Sequence, residues 1–498
     1  MDEQKKDPEQ QVNQSDPVQH NGPAGKYIRL KPFFFIMLIF TLILSTAGLT
    51  IFALTFGEDK VVEVGSQERR EFQKLYQAYD KLNAGYYADI DQDSLVNGAI
   101  NGMIDALEDP YSDYMNQDEA AQFEESISSS FQGIGAEIRE RNGMISVVSP
   151  IKNSPAEKAG ILTNDNIIAV DGKNIQGMGA SEAVLLIRGK KGTEVTLTIQ
   201  RGEMTEPLEI KIVRDEIPIE TVYAKILDDK VAHIQITSFS QNTYDELLAA
   251  LTDMEEAGMK ALVLDVRQNP GGLLTSAIDI SNLFVEEGKP LFQTQEKGKK
   301  AEIFLATDGK KLKVPVSLLI DEGSASASEI LAAAMSESAG TQLVGLNSFG
   351  KGTVQTANEL KDGSNMKFTT AKWLTPDGNW IHEKGIAPDV KVDYPTYSKL
   401  PYLDASIEIK NGVLSDQVKA SEEMLTAIGI DSGKVDGLFD DQTEAAVKQL
   451  QKEAKLKETG ILTGETTYAL MDRLRLKIEK DDPQLLKAKE LLLKDLAK

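Results

Sequence analysis

Val316-Ser317-Leu318-Leu319-Ile320-Asp321-Glu322-Gly323-Ser324-Ala325-Ser326-Ala327-Ser328-Glu329 decides how this chain is read: an apolar strand empties into a turn rich in hydroxyls and then into an Ala-rich helix. Further on, Gly350-Lys351-Gly352-Thr353-Val354-Gln355 sets one lysine between two glycines, which lack Cβ and let backbone and partners approach closely. A serine hydroxyl is a weak nucleophile and needs an adjacent base, and a lysine becomes that base only if desolvation draws its pKa down from about 10.4. The two segments together suggest such a pair. Plainer readings stand beside this one. Ser326 to Glu329 also reads as a capping box, and a glycine-flanked lysine also reads as a solvated loop residue.

Glu322 to Ile330, followed by Gly350 to Gln355, resembles the signature of the C-terminal processing peptidases, serine endopeptidases with a Ser-Lys-Gln site. In that family the lysine follows the nucleophile by 25 positions and the glutamine follows the lysine by four, which is the spacing of Ser326, Lys351 and Gln355. The resemblance implies Ser326 as nucleophile, with Ser324 and Ser328 as neighbours, Lys351 as general base and Gln355 as the residue that orients it. It implies no cofactor. Lys351 and Gln355 fall on one face of a strand, but four residues of extended chain span about 13 Å at roughly 3.3 Å each. The glutamine reaches the lysine only if the chain bends near Gly352.

Upstream, Val231 to Phe239 reads as a strand, Thr243 to Glu256 as a helix, and Ala261 to Val266 as an apolar run of the kind buried on both faces of a parallel sheet. Arg267-Gln268-Asn269-Pro270-Gly271-Gly272 closes that run ahead of a helix expected over Leu274 to Phe284. Two glycines before a helix expose backbone N–H groups with positive helix-end character, an oxyanion site in waiting. The stretch resembles the family's Asp-x-Arg-x-Asn-Pro-Gly-Gly segment. That likeness implies N–H groups of Gly272 and Ala327 as the oxyanion donors, with Gly271 shaping the turn. Leu374 to Gly378 and Gly385 to Val390 resemble the closing motifs of the same domain, and a catalytic domain is expected over 216–400.

Short β-type runs with turn signals from Ser130 to Arg214 read as a small β module, expected over 118–215. Phe131 to Ile138 and Ser154 to Ile161 resemble the carboxylate-binding loop of a PDZ domain and the segment after it. Gly133, Ile134, Gly135 and Ala136 would then hold a peptide C-terminus while the peptide adds a strand to the sheet edge. Asn164 stands where that family commonly has glycine. Arg188 resembles a PDZ arginine that couples peptide binding to the protease site; a solvated turn arginine beside two lysines is the plain alternative.

The chain opens with a polar stretch, 1–32, read as a disordered tail. No charged residue occurs over 33–56, roughly enough helix to span a bilayer. Lys26, Arg29 and Lys31 precede it and Glu58 and Asp59 follow, so the positive-inside rule puts the tail in the cytoplasm and the remainder outside, in the cell membrane as a single-pass anchor. Ser45-Thr46-Ala47 would also suit a cleaved signal peptide, giving a secreted form. Two amphipathic helices are expected over Gln67 to Tyr87 and Ser94 to Leu107, within an N-terminal helical region of 66–115. Leu107 to Tyr114 resembles the family's Leu-Asp-Pro stretch with a glutamate inserted or substituted, and the likeness implies a homodimer formed through this region.

After a linker from Tyr394 to Tyr402, residues 412–476 read as short helices joined by Gly/Asp turns. Asp436-Gly437-Leu438-Phe439 with Thr443, Ala446, Val447 and Gln451 resembles a small peptidoglycan-binding domain, although a plain helical spacer would show the same apolar residues. Residues 477–498 read as a charged helix or tail.

With 498 residues and 41% hydrophobic content the chain holds two or three cores, and a net charge of −24 argues against nucleic acid as a partner. It has no cysteine, so neither disulfides nor thiolate metal sites arise. His20, His233 and His382 are scattered, which speaks against a metal site or a Ser-His-Asp triad. The expectation is a multidomain α/β and α+β protein: a membrane helix, a helical pair, a PDZ-like β module, an α/β Ser-Lys protease core and a small helical module. Its expected substrates are proteins with exposed C-termini. A penicillin-recognising acyltransferase is the rival enzyme, since Ser348-Phe349-Gly350-Lys351 fits Ser-x-x-Lys, but the Ser-Asp-Asn and Lys-Thr-Gly elements are missing. A non-catalytic PDZ and cell-wall scaffold is the other alternative.

Overall fold

The structure, a computed structural model, describes residues 31–56, 69–141, 143–202, 204, 206–307 and 311–497. The chain divides into two compact units, Met1–Gln92 and Asp93–Lys498.

The first unit contains a helix over Pro32–Phe56 and, after a short 3-10 turn, a helix over Gln73–Gly85. Among the described residues no helix is long and apolar enough to cross a membrane. The expected cytoplasmic tail lies outside the described residues apart from its last two.

In the second unit the expected parallel sheet is present. Its six strands run in the order Val222–Ile226, Val231–Ile236, Ala261–Asp265, Val316–Ile320, Gln342–Gly345 and Val390–Lys391. The first pair is antiparallel and the others are parallel. Ala261–Asp265 is buried along its whole length, as an apolar run facing protein on both sides must be. Side chains alternate between the faces: Leu262, Leu264, Leu318 and Ile320 share a core with Leu247, Leu251, Ala277 and Ile280, whereas Val263, Leu319 and Val344 point the other way. Those four partners come from two helices on the first face, Thr243–Glu256 at its expected bounds and Leu274–Ser281, three residues shorter than expected.

The opposite face is closed by the helix Pro483–Leu496, whose Leu485, Ala488 and Leu492 pack on Val231, Val263, Leu319 and Val344. The segment read as a charged helix or tail is thus a covering layer of the sheet. Its narrow apolar stripe at i, i+3 and i+7 is masked in the sequence by Lys487, Glu490 and Lys494, which pair with one another on the outer side.

A second, antiparallel sheet orders Asp113–Met115, Asn365–Leu374, Pro290–Glu296 and Glu302–Leu305, with Thr353–Glu359 also paired to Asn365–Leu374. A strand from the N-terminal region is therefore built into the same sheet that carries the segment after Lys351. The β module is a sheet in the order Ala136–Arg141, Met144–Pro150, Asn166–Val170, Glu194–Gln200, Leu208–Val213, with a helix over Ala180–Ile187. Ala136–Arg141 is its edge strand, the position that strand addition requires. The helical module surrounds Leu425, Phe439, Leu450 and Leu470 with helices Asp416–Ala427, Asp441–Glu453 and Glu465–Lys480. The first is capped by Ser415, which accepts from the Val418 N–H.

Candidate active site

At the elbow, Ser326 opens the helix Ala327–Ala333 with φ 55° and ψ −110°. A residue with a Cβ rarely adopts this backbone, which costs about 1–3 kcal/mol and persists only where the surroundings over-determine it. Here they do. Ser324 and Ser328 are both fully buried. The Ser324 hydroxyl donates to Val266 O at 2.8 Å and accepts from Asp321 N at 3.0 Å, and the Ser328 hydroxyl donates to Asn269 O at 2.9 Å. Ser326 alone of the three is only half-buried. Its turn is raised out of the core by the anchors on either side.

Glu329 ties this elbow to the lysine. Its side chain is fully buried and accepts four hydrogen bonds. Oε2 takes the N–H groups of Ser326 and Lys351, each at 2.8 Å. Oε1 takes the Ser348 hydroxyl at 2.6 Å and the Gly350 N–H at 2.7 Å. Only one of these contacts belongs to the capping box. The others come from the loop that delivers Lys351, so one oxygen brings the backbones of Ser326 and Lys351 together. Sequence reasoning assigned Glu329 no more than a cap; its position inside a buried apolar helix was the available signal. Ser348, the serine of the Ser-x-x-Lys alternative, is buried and engaged by Glu329 and by the Ile386 N–H at 2.7 Å.

Lys351 is half-buried, and its ammonium lies 4.9 Å from the centre of the Tyr111 ring. Desolvation lowers its pKa, the positive charge of Lys367 acts in the same direction, and Asp109 and Glu329 oppose both with a net shift downward. Tyr111 and Asp109 belong to the Leu107 to Tyr114 stretch, which the resemblance had connected only with dimer formation. Ser112 fastens this stretch to the second sheet, accepting from Thr369 N at 3.1 Å and donating to Asp109 at 2.6 Å. Gln355 lies after a bulge between Val354 and Gln355, so the strand does depart from regular pairing, one residue from Gly352's neighbour Thr353. Among the described residues its amide donates to Thr353 Oγ1 at 3.0 Å and Thr369 Oγ1 at 3.1 Å rather than to Lys351.

Gly271 and Gly272 sit where nothing larger fits. A Cβ on Gly271, at φ 103°, would lie 2.9 Å from Ser326 Cβ, and one on Gly272, at φ 143°, would lie 1.9 Å from Phe239 O. Gly271 gives its N–H to Asn269 Oδ1 at 2.9 Å. Among the described residues, the N–H groups of Gly272 and Ala327 have no hydrogen-bond acceptor. Gly133 to Ala136 lead into the edge strand of the β module, and Ser154 fixes the turn by donating to Gly135 O at 2.8 Å. Arg188 follows the helix Ala180–Ile187. It pairs with Glu125 of the helix Gln117–Ser128 at 3.0 Å and lies over the Phe131 ring at 4.8 Å. His233 is a strand residue paired with Asp265 at 2.9 Å, and His382 stacks on Trp380.

Comparison with known proteins agrees with this architecture. Residues 230–392 match peptidase family S41, 132–212 a PDZ domain, 415–470 a peptidoglycan binding domain and 55–119 the N-terminal domain of the activating protease CtpB. The chain is 48% identical over 463 residues to the carboxy-terminal processing protease CtpA of Bacillus subtilis, covering 93% of this chain and 98% of the relative. It is 41% identical over 428 residues to CtpB of the same organism, covering 85% and 89%. Among solved structures, the photosystem II D1 C-terminal processing protease is 28% identical, with 66% of this chain and 87% of that one covered and a TM-score of 0.39. The β module, peptidase core and helical module thus define a multidomain serine-type peptidase. The chain belongs to the carboxy-terminal processing proteases.

Proposed function

We propose that this peptidase cleaves proteins with exposed C-termini through an acyl-enzyme formed on Ser326, with Lys351 as base. The observation that carries the reading is the shared Glu329 oxygen, which holds a solvent-reachable serine and a desolvated lysine on adjoining backbone. Neutral Lys351 takes the Ser326 proton as Oγ bonds to the scissile carbonyl carbon. The N–H groups of Gly272 and Ala327 receive the oxyanion, with Gly271 keeping the turn. Collapse breaks the C–N bond, and the leaving amine takes the proton from Lys351. Water, deprotonated by Lys351, then hydrolyses the ester and restores Ser326. Gln355 contributes through Thr369, whose backbone N–H bonds Ser112, which in turn bonds Asp109 beside the lysine. The test is digestion of unfolded casein by the full chain in mild detergent beside its Ser326→Ala variant; equal rates would end this reading.

The base assignment has a signed pH signature. Because the Lys351 pKa is lowered, its neutral form appears at lower pH than for a free lysine, and kcat should rise with pH through that value. Lys367→Gln removes a like charge, so Lys351 keeps its proton longer and the rising limb should move to higher pH. Asp109→Asn removes an attractive charge and should move it to lower pH. Limbs that stay fixed, or move together, in kcat–pH profiles of the two variants would count against Lys351 as base.

The remaining modules set where the enzyme works and when. Residues 33–56 anchor it in the membrane with the catalytic part outside, a reading that rests on the uncharged sequence and its flanking charges. Exposed apolar residues on the helix Gln73–Gly85, Leu75 and Tyr76, support homodimer formation through the N-terminal region. The helical module engages peptidoglycan. A groove beside it is lined by Tyr397, Tyr402 and Tyr468, and tyrosine offers an apolar face with a polar tip where tryptophan is lacking.

The PDZ domain gates the site. Arg188 contacts the helix Gln117–Ser128, which follows the strand Asp113–Met115 and, before it, Tyr111 over Lys351. Peptide bound along Ala136–Arg141 would disturb Arg188 and be felt at the lysine. Arg188→Ala should therefore lose most of the acceleration by added C-terminal peptide. Undiminished acceleration in that variant would exclude Arg188 as the messenger.

A further inference from the structure

We propose that the N-terminal turn of the helix Pro483–Leu496 positions the oxyanion loop, with Asp482 and Gln484 as positioning residues. The inference rests on the reading of Gly272 and Ala327 above.

Its centre is Arg267, the residue that opens the loop Arg267 to Gly272. The guanidinium is buried and every one of its five N–H groups is donated. Nε and Nη2 bond Asp265 at 2.9 and 2.6 Å. Nη1 and Nη2 form a bidentate pair with Asp482 at 3.0 and 2.7 Å, and Nη1 also reaches Gln484 Oε1 at 2.9 Å. A planar fork satisfied on all sides has one orientation, and the far half of its partners comes from a helix more than two hundred residues along the chain. That helix end is itself fixed. Asp482 caps it by accepting from the N–H groups of Gln484 at 3.1 Å and Leu485 at 3.0 Å. The fully buried Gln484 donates to Val392 O at 2.8 Å, beside the last strand of the sheet.

From Arg267 the constraint passes along a loop pinned at successive residues. Gln268, at φ 56°, gives its N–H and its amide to Asp321 at 2.9 and 2.7 Å. Asn269 accepts the Gly271 N–H on its side chain, and its carbonyl oxygen accepts Ala325 N at 3.0 Å and the Ser328 hydroxyl. The loop that presents Gly272 and the turn that presents Ser326 and Ala327 are thus registered against each other, and Arg267 fixes the loop's origin. Leu485, Ala488 and Leu492 already bury the helix against the sheet. Apolar packing already holds the helix on the sheet, so what the Asp482–Arg267 pair adds is orientation, although removing one partner of a buried pair also costs stability.

The experiment measures kcat, KM and thermal midpoint for the full chain on an unfolded peptide substrate, for wild type, Asp482→Asn, Asp482→Glu, Gln484→Met and Ser326→Ala. Asparagine caps a helix about as well as aspartate. Asp482→Asn is therefore expected to keep the cap but to lower the midpoint, because the amide NH2 opposes a guanidinium donor; assayed well below that midpoint, kcat should fall about 10- to 100-fold, the scale of a misplacement near 1 Å, with KM within about twofold. Asp482→Glu should recover part of the loss. Gln484→Met, with the cap intact, should show a smaller fall confined to kcat, so the inference stays testable if Asp482→Asn does not fold. Wild-type kcat in Asp482→Asn, or a loss that tracks the midpoint in both positions, overturns the inference. An inert Ser326→Ala beside a fully active Asp482→Asn removes this inference alone, whereas an active Ser326→Ala removes the reading of the site on which it stands.

Discussion

Ser326→Ala is expected to lower kcat/KM on an unfolded protein by roughly four to six orders of magnitude, and Lys351→Ala by a comparable factor, since residues that act as one unit are lost together. The double variant should be little worse than either single one. Lys351→Arg should be as inactive as Lys351→Ala, because a guanidinium keeps its proton throughout the working pH range and cannot accept the one from Ser326. Rates from active-site-limited assays, with circular dichroism to establish that each variant is folded, check all four. Residual activity above about 1% in Lys351→Arg would mean that another group takes the proton.

The second large effect is expected at a residue that does no chemistry. In Glu329→Gln one oxygen becomes an NH2 group, which must face two hydrogen-bond donors where an acceptor stood. The carboxylate now receives the Ser326 and Lys351 N–H groups on one oxygen and the Ser348 hydroxyl and Gly350 N–H on the other. Either orientation of the amide leaves buried donors opposed and unsatisfied, at a cost of roughly 2–5 kcal/mol. Denaturant unfolding should show that loss, and kcat should fall about 10²-fold in whatever fraction remains folded, because the relative placement of Ser326 and Lys351 is what the carboxylate sets. A change in stability under about 1 kcal/mol with unaltered kcat would contradict the clamp.

The strand Val316–Ile320 was legible as a short apolar run closed by turn formers, and the helix Thr243–Glu256 as an apolar stripe at helical spacing bounded by polar residues. The choice among Ser324, Ser326 and Ser328 was not legible from pattern. The three alternate with alanine and are told apart only by acceptors, Val266 O and Asn269 O, that lie 58 and 59 positions away. Resemblance supplied what periodicity could not. Asp109 and Tyr111 were missed as neighbours of Lys351 for the same reason: the contact that fastens their segment, Thr369 to Ser112, spans 257 positions. Gln355 was expected to touch Lys351 only if the chain bends near Gly352; the pairing is irregular between Val354 and Gln355, yet the amide bonds Thr353 and Thr369 and not the lysine. The helix Pro483–Leu496 was hidden by composition. Its buried residues are few and its ion-paired outer face dominates the sequence.

That helix also orders events in time. A chain made from its N-terminus completes Asn166–Val170 and Glu194–Gln200 early, so the PDZ core can close while the peptidase is still unfinished. The central sheet then waits for Val390–Lys391 at its edge and for Leu485 to Leu492 over its open face. Pairings of such separation form late, after the entropy of closing long loops has been met. During biosynthesis the chain is therefore expected to pass through an interval in which the PDZ core is closed and the peptidase core is not, so that cutting waits until most of its length has been made.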